Sequence, residues 1–125
     1  MEVIKALFDT NILIDYLNGI SQAKTELARY EHRLISTITW IEVLVGAKTE
    51  AENTAIKRFL AQHFEQIPLN SDIAERSVLI RQTKRIRLPD AIIQATAEHH
   101  QALLITRNSK DFSPDSSSVR IPYCL

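Results

Sequence analysis

Cysteine is almost missing from this chain: Cys124 is the only one. No internal disulfide and no thiolate metal site can form, so a reducing compartment is the default. Glycine and proline are scarce, at 2 and 4 of 125 residues, which favours helices over a many-turned β fold. No charge of one sign dominates, since 15 Lys and Arg face 15 Asp and Glu. That excludes a generic basic nucleic-acid coat and an acidic tail, and leaves nucleic-acid contact to local patches. Nor does any run approach the roughly 18 apolar residues of a membrane helix. Met1 to Asp9 lacks the apolar stretch of a signal peptide. A cytoplasmic protein without membrane contact is expected.

What is there is globular. Hydrophobic residues make 45% and charged residues 24% of the chain. This supports one core without staples, and the length is too short for two, so one domain over 1–125 is expected. Val3 to Phe8 is too short for a helix and suits a buried strand. Leu34-Ile35-Ser36, Glu65 to Leu69, Ala102 to Thr106 and Val119 to Ile121 read the same way. The first helix runs from Asn11 to Leu17 and stops at Asn18-Gly19; the second is capped by Ser21 and reaches about Tyr30. Ile38 to Ala47 follows, then Glu50 to His63 with Ala51, Ala55, Phe59 and Leu60 towards one side. Asn70-Ser71 caps a helix to about Arg85, and Pro89 opens the last. Strands alternating with helices predict an α/β fold with a mostly parallel sheet covered on both faces. Ligands then sit beyond the carboxyl ends of the strands.

Four polar residues fall at or near those ends. Asp9 follows the first strand, Asp90 opens the helix after Pro89, and Asn108 lies past Leu104-Ile105-Thr106. Glu42 sits inside Ile38-Thr39-Trp40-Ile41-Glu42-Val43-Leu44-Val45. Each has a structural alternative. Asp9 can cap the helix near Asn11, and Asp90 can serve its helix dipole. Asn108 can be a turn residue, with Phe112 beyond Asp111 packing on the core. Glu42 is harder to explain, because its helix is apolar on nearly every side and a buried carboxylate needs a cation or donors. An Arg from another segment is its structural alternative. Clustered carboxylates all stay ionised only when a cation compensates. An all-oxygen set suits Mg²⁺ or Mn²⁺ rather than Zn²⁺. His32, His63, His99 and His100 form no ligand spacing of the His-Glu-x-x-His kind.

Four blocks carry a family resemblance. They are Phe8-Asp9-Thr10-Asn11-Ile12-Leu13-Ile14, Thr39-Trp40-Ile41-Glu42-Val43-Leu44-Val45-Gly46-Ala47, Leu88-Pro89-Asp90-Ala91-Ile92-Ile93 and Leu104-Ile105-Thr106-Arg107-Asn108-Ser109-Lys110-Asp111-Phe112. In this order they resemble the signature blocks of the PIN-domain nucleases, and most of all the VapC toxins of bacterial toxin–antitoxin pairs. The resemblance implies a three-layer α/β/α sandwich and RNA cleavage dependent on Mg²⁺ or Mn²⁺. It also implies a cognate VapB-like antitoxin and a homodimer. By the motif match Asp9, Glu42 and Asp90 bind metal, Thr106 orients them, and Asn11 supports. Many members carry Asp where this chain has Asn108. An amide brings no charge, so Asn108 is expected to orient a water at the metal, with Asp111 secondary.

Charge arithmetic adds to this. Three carboxylates carry −3, one Mg²⁺ leaves −1, and a second metal arriving with the substrate brings +1. Lys84, Arg85, Arg87, Arg107 and Lys110 flank the motifs as candidates for the RNA backbone. For the first three a solvated helix end is the alternative. Two other functions compete. A signalling receiver domain has similar length, but Leu34-Ile35-Ser36 and Glu65 to Leu69 end in no acceptor Asp. A PIN fold without catalysis, binding only RNA or protein, is opposed by the presence of all three acids.

Overall fold

In the computed structural model, which describes residues 4–125, strands and helices alternate along the chain. Val3, the expected first residue of the opening strand, lies outside the described residues. The order is β1 (Lys5–Phe8), α1 (Thr10–Leu17), α2 (Ser21–Ala28), β2 (His32–Ser36), α3 (Thr37–Val45), α4 (Glu50–His63), β3 (Glu65–Ile67), α5 (Ser71–Thr83), α6 (Leu88–His99), β4 (Leu103–Ile105) and β5 (Val119–Arg120). The strands form one five-stranded sheet in the order β3-β2-β1-β4-β5, and every neighbouring pair is parallel.

The period-2 geometry of the strands builds two cores. Leu7, Leu34 and Leu104 point to one face, against Ile73 and Ile80 of α5 and Ile93 of α6. Ala6, Phe8, Ile35 and Ile105 point to the other, against Leu13 of α1 and Leu60 of α4. Phe8 meets Tyr30 and Phe64 edge-on there, with centroids 5.9 and 5.8 Å away. Each fully buried Leu, Ile or Phe contributes about 1.5–3 kcal/mol. A sheet between two helical layers is the three-layer arrangement expected. Among the described residues no helix is long and apolar enough to cross a membrane.

Several boundaries differ from expectation for physical reasons. Ser21 does not cap α2: Ile20 holds the cap position in extended backbone, and Ser21 Oγ meets Gln22 Oε1 instead. Gly19 turns with φ 81°, and the apolar Ile20 packs against the core and sets the entry of α2. That helix ends at Ala28, short of Tyr30. On α4 the buried stripe is Ile56, Phe59 and Leu60, whereas Ala51 and Ala55 are exposed. Ser36 caps Ile38 N–H at 3.2 Å, so α3 starts at Thr37 and closes at Val45 before Gly46. Pro68 offers no N–H, and β3 stops at Ile67. Asn70 does cap α5, accepting from Ile73 N–H at 2.9 Å. The helix stops at Thr83 because Lys84 is extended.

Candidate active site

From β1 the chain winds outward through β2 and β3, then returns to place β4 on the other side of β1. This reversal makes β1 and β4 the switch point of the sheet, where open parallel sheets bind ligands. Asp9 leaves β1 with its N–H on Ile105 O at 2.9 Å, and Thr106 leaves β4 beside it. Asp9 is also the N-cap of α1, with Oδ1 accepting from Thr10 N–H at 2.7 Å. Its Oδ2 accepts from Thr106 Oγ1 at 2.7 Å and from Asn11 Nδ2 at 3.2 Å. One carboxylate thus caps the helix and faces the candidate site.

Glu42 finds its donor in Thr10, one residue beyond Asp9. Thr10 Oγ1 lies 2.7 Å from Glu42 Oε1 and 3.0 Å from Thr39 Oγ1. A hydroxyl has one proton, so Thr10 donates to Glu42 and accepts from the buried Thr39. Among the described residues no Arg forms an ion pair with Glu42, and it is not fully buried. Glu42 is half-buried, and Ile41 and Val45 of the same helix are exposed, which corrects the picture of a helix apolar and covered all round.

Asp90 enters from the first turn of α6 and is 4% exposed. Among the described residues its only cation is Arg87, at a single Nε contact of 3.4 Å, and the Arg87 side chain is 74% exposed. The hydrogen bond and charge of Asp90 raise the Arg87 guanidinium, and the charges of Glu42 and Asp111 add to this. Asp9 feels two of these charges, those of Asp90 and Glu42, from inside. Burial is the main cause raising it from the usual 3.8 to about 6. The bonds from Thr106 and Thr10 oppose the rise, and the charges of Asp90 and Glu42 add to it. Asp9, Glu42 and Asp90 therefore feel one another's charge, and Asp111 reaches Arg87.

Asn108 builds a turn. Its Oδ1 accepts from Asp111 N–H at 3.2 Å, its Nδ2 donates to Asp111 Oδ2 at 3.0 Å, and its own N–H donates to Thr106 Oγ1 at 2.9 Å. The amide is engaged within the turn, while Asp111 carries the charge. Phe112 packs into the core as expected. The basic candidates separate into two groups. Arg107 is not free for phosphate, because its guanidinium grips Asp15 at 2.6 and 3.1 Å. Lys84 is likewise committed, to Gln94 Oε1 at 2.9 Å and the Asp111 carbonyl at 3.3 Å. Arg85 and Lys110 are exposed, as is Arg87.

The match to known proteins agrees with this geometry. Residues 6–113 match the PIN domain. The chain belongs to the PIN-domain nuclease family. Among solved structures, it is 48% identical to a chain of a toxin–antitoxin complex from Klebsiella pneumoniae. That alignment covers 97% of this chain and 100% of the other, with a TM-score of 0.90. FitAcB from Neisseria gonorrhoeae is 23% identical, covering 96% and 99% at a TM-score of 0.75. DNA-bound VapBC from Salmonella typhimurium is 22% identical, covering 95% and 97% at 0.76; these two show the fold alone. Among curated proteins there is no significant match. PIN membership leaves no place for the receiver alternative.

PIN nucleases generally use divalent cations, and the donors here suit one in type and charge. They are carboxylate oxygens, and Asp9 is held above its usual range by burial and, to a smaller extent, by the charges of Asp90 and Glu42. Among the described residues no three His, Cys, Asp or Glu side chains are gathered closely enough to hold a metal ion as they stand. The candidate site is also braced by residues given no role in the sequence reading: Thr10 and Thr39 behind Glu42, and Asp15 and Tyr123 behind Arg107. Thr10 had a signal, lying between two site residues. Asp15 had one too, four residues after Asn11 and so on the same helical face.

Proposed function

We propose that this chain is the toxin of a toxin–antitoxin pair, an endoribonuclease that hydrolyses RNA phosphodiester bonds with Mg²⁺ or Mn²⁺. The observation that carries this reading is a set of buried acids at the switch point with no firm counter-cation. Asp9 and Asp90 would hold the metal with Glu42, and Asp111 is the further acid beside them. When bound, the cation supplies charge for the scissile phosphate and acidifies the attacking water. The chain's own residues do the positioning. Thr106 and Asn11 fix one oxygen of Asp9, and Thr10 fixes the other through its N–H and Glu42 through its hydroxyl. Asn108 shapes the turn that carries Asp111. Arg85, Arg87 and Lys110 are the exposed cations left to hold the RNA backbone.

The partner reading rests on the 48% identical chain, whose structure is a toxin–antitoxin complex. A cognate antitoxin would cover the acid pocket, with an Arg or Lys among the carboxylates. The whole chain would act as one domain in the cytoplasm. A homodimer through a helical face is part of this reading, and exposed Val78 and Leu79 of α5 offer one. Purified protein should cleave RNA with Mg²⁺ or Mn²⁺, stop with EDTA, and arrest growth when expressed without its antitoxin. Folded protein that leaves RNA intact under all metals would instead favour the non-catalytic PIN reading.

A further inference from the structure

We propose that Arg107 is a positioning residue for Asp9, locked in place by Asp15 and, through it, by the C-terminal Tyr123. The inference rests on the metal-site reading above for its kinetic consequences, but its geometry stands on the chain alone. Arg107 Nε and Nη2 donate to Asp15 Oδ2 and Oδ1 at 2.6 and 3.1 Å, a bidentate pair. Tyr123 Oη donates to the same Oδ2 at 2.8 Å. Asp15 is 5% exposed, so it holds this partnership out of bulk water.

The backbone of Arg107 then reaches the site. Its N–H donates to Asn11 Oδ1 at 3.2 Å. With that oxygen occupied, the Asn11 NH₂ is forced towards Asp9 Oδ2 at 3.2 Å and Thr106 Oγ1 at 3.4 Å. The amide cannot flip without losing all three contacts. Asn11 and Asp15 are one helical turn apart on α1, so a single rigid face presents both anchors. The chain of contacts runs Tyr123, Asp15, Arg107, Asn11, Asp9. Arg107 thus orients the acid from behind without meeting RNA.

A second pair provides a built-in control. Arg120 grips the equally buried Glu26 at 2.6 and 3.1 Å, and Tyr30 Oη donates to Glu26 at 3.2 Å. Arg120 meets the site region through the sheet ladder, its carbonyl accepting from Thr106 N–H at 3.1 Å, and it makes no contact with Asn11. A merely structural role for Arg107 predicts that breaking either pair has the same consequences.

The experiment compares Asp15→Asn and Tyr123→Phe with Glu26→Gln, well below each melting temperature. Three quantities are read: side-chain amide exchange of Asn11 by NMR in metal-free protein, Mn²⁺ affinity by electron paramagnetic resonance, and RNA cleavage. We expect Asp15→Asn to speed Asn11 exchange and weaken Mn²⁺ about tenfold, within the range for residues behind a metal ligand. It should lower kcat similarly with KM nearly unchanged. Tyr123→Phe should do the same by a smaller factor, and it carries the test if Asp15→Asn fails to fold. Glu26→Gln should lower the melting temperature as much and leave the three readouts at the unmodified protein's values. Unchanged Asn11 exchange in both Asp15→Asn and Tyr123→Phe, or equal effects from Glu26→Gln, overturns the proposal. Unmodified protein that neither binds Mn²⁺ nor cleaves RNA overturns the nuclease reading instead, while Asn11 exchange still decides this one.

Discussion

Asp15 and Glu26 are 5% and 4% exposed; Asp9 and Asp90 are both 4% exposed. The first two each receive a bidentate Arg and a Tyr hydroxyl. The second two receive one hydroxyl, an amide, a backbone N–H and one 3.4 Å contact from an exposed Arg. Burial of an ion is costly unless it is paired. The same chain therefore neutralises its acids beside α1 and α2 and leaves negative charge in place where β1 and β4 part. Asp9 is raised to about 6, chiefly by burial, with the charges of Asp90 and Glu42 adding to it. Asp15 and Glu26 are firmly paired, whereas Asp9 and Asp90 are only weakly compensated, and it is this difference that the proposed cation would offset.

The largest expected effect is on chemistry. Asp9→Asn or Asp90→Asn should cut RNA cleavage at least about a hundredfold, beyond the tenfold typical of supporting residues, with circular dichroism unchanged. Glu26→Gln should spare cleavage, and equal losses in all three would erase the distinction. Next comes stability. Breaking the Asp15 or Glu26 pair leaves a half-buried Arg without its partner and should cost about 2 kcal/mol in denaturant unfolding, the range for hydrogen bonds to charged groups. Asp90→Asn removes repulsion and should leave stability level or higher. A large loss for Asp90→Asn would mean that Arg87 pairs with it as firmly as Arg107 does with Asp15.

A pH series sharpens the comparison further. Asp9 holds its proton more tightly folded than unfolded, because its value rises from 3.8 to about 6. Its contribution to metal-free stability is complete below 3.8 and is lost as pH rises through about 6. Divalent cations compete with that proton, so Mn²⁺ affinity should climb across the same window. Titration calorimetry from pH 5 to pH 7 tests this, and a flat affinity would contradict it. The smallest effect belongs to the turn after β4. Asn108→Ala should lower cleavage by about tenfold or less, through loss of its hold on Asp111. A larger loss from Asn108→Ala than from Asp9→Asn would make the amide a direct participant.

Much of this was legible in the chain. Apolar runs separated by helical stretches give the alternating α/β order, and low Gly and Pro counts agree with it. Asp9, Thr106 and Asp90 were readable because they sit directly at element ends, which sequence marks well. Caps were less legible. Ser21 has the right chemistry, yet tertiary packing of Ile20 decides where α2 starts. The basic residues were least legible. Arg107 looks like a phosphate contact by its place in the motif, but its partners, Asp15 and Tyr123, lie 92 and 108 positions apart from Arg107 and from Asp15 respectively. No local pattern reports pairings at that separation. The Glu42 donor was missed for the same reason, because α1 and α3 meet only in the folded chain.

The most direct test of the central claim is Mn²⁺ binding to the folded, metal-free protein at pH 7, beside Asp90→Asn and Glu26→Gln. If the acids at the switch point are uncompensated and built for a cation, the unmodified chain binds Mn²⁺ and its melting temperature rises with the ion. Glu26→Gln, though less stable, should bind as well as the unmodified chain, and Asp90→Asn should bind far more weakly. No Mn²⁺ binding by the unmodified chain, or equal binding by Asp90→Asn, would contradict the account.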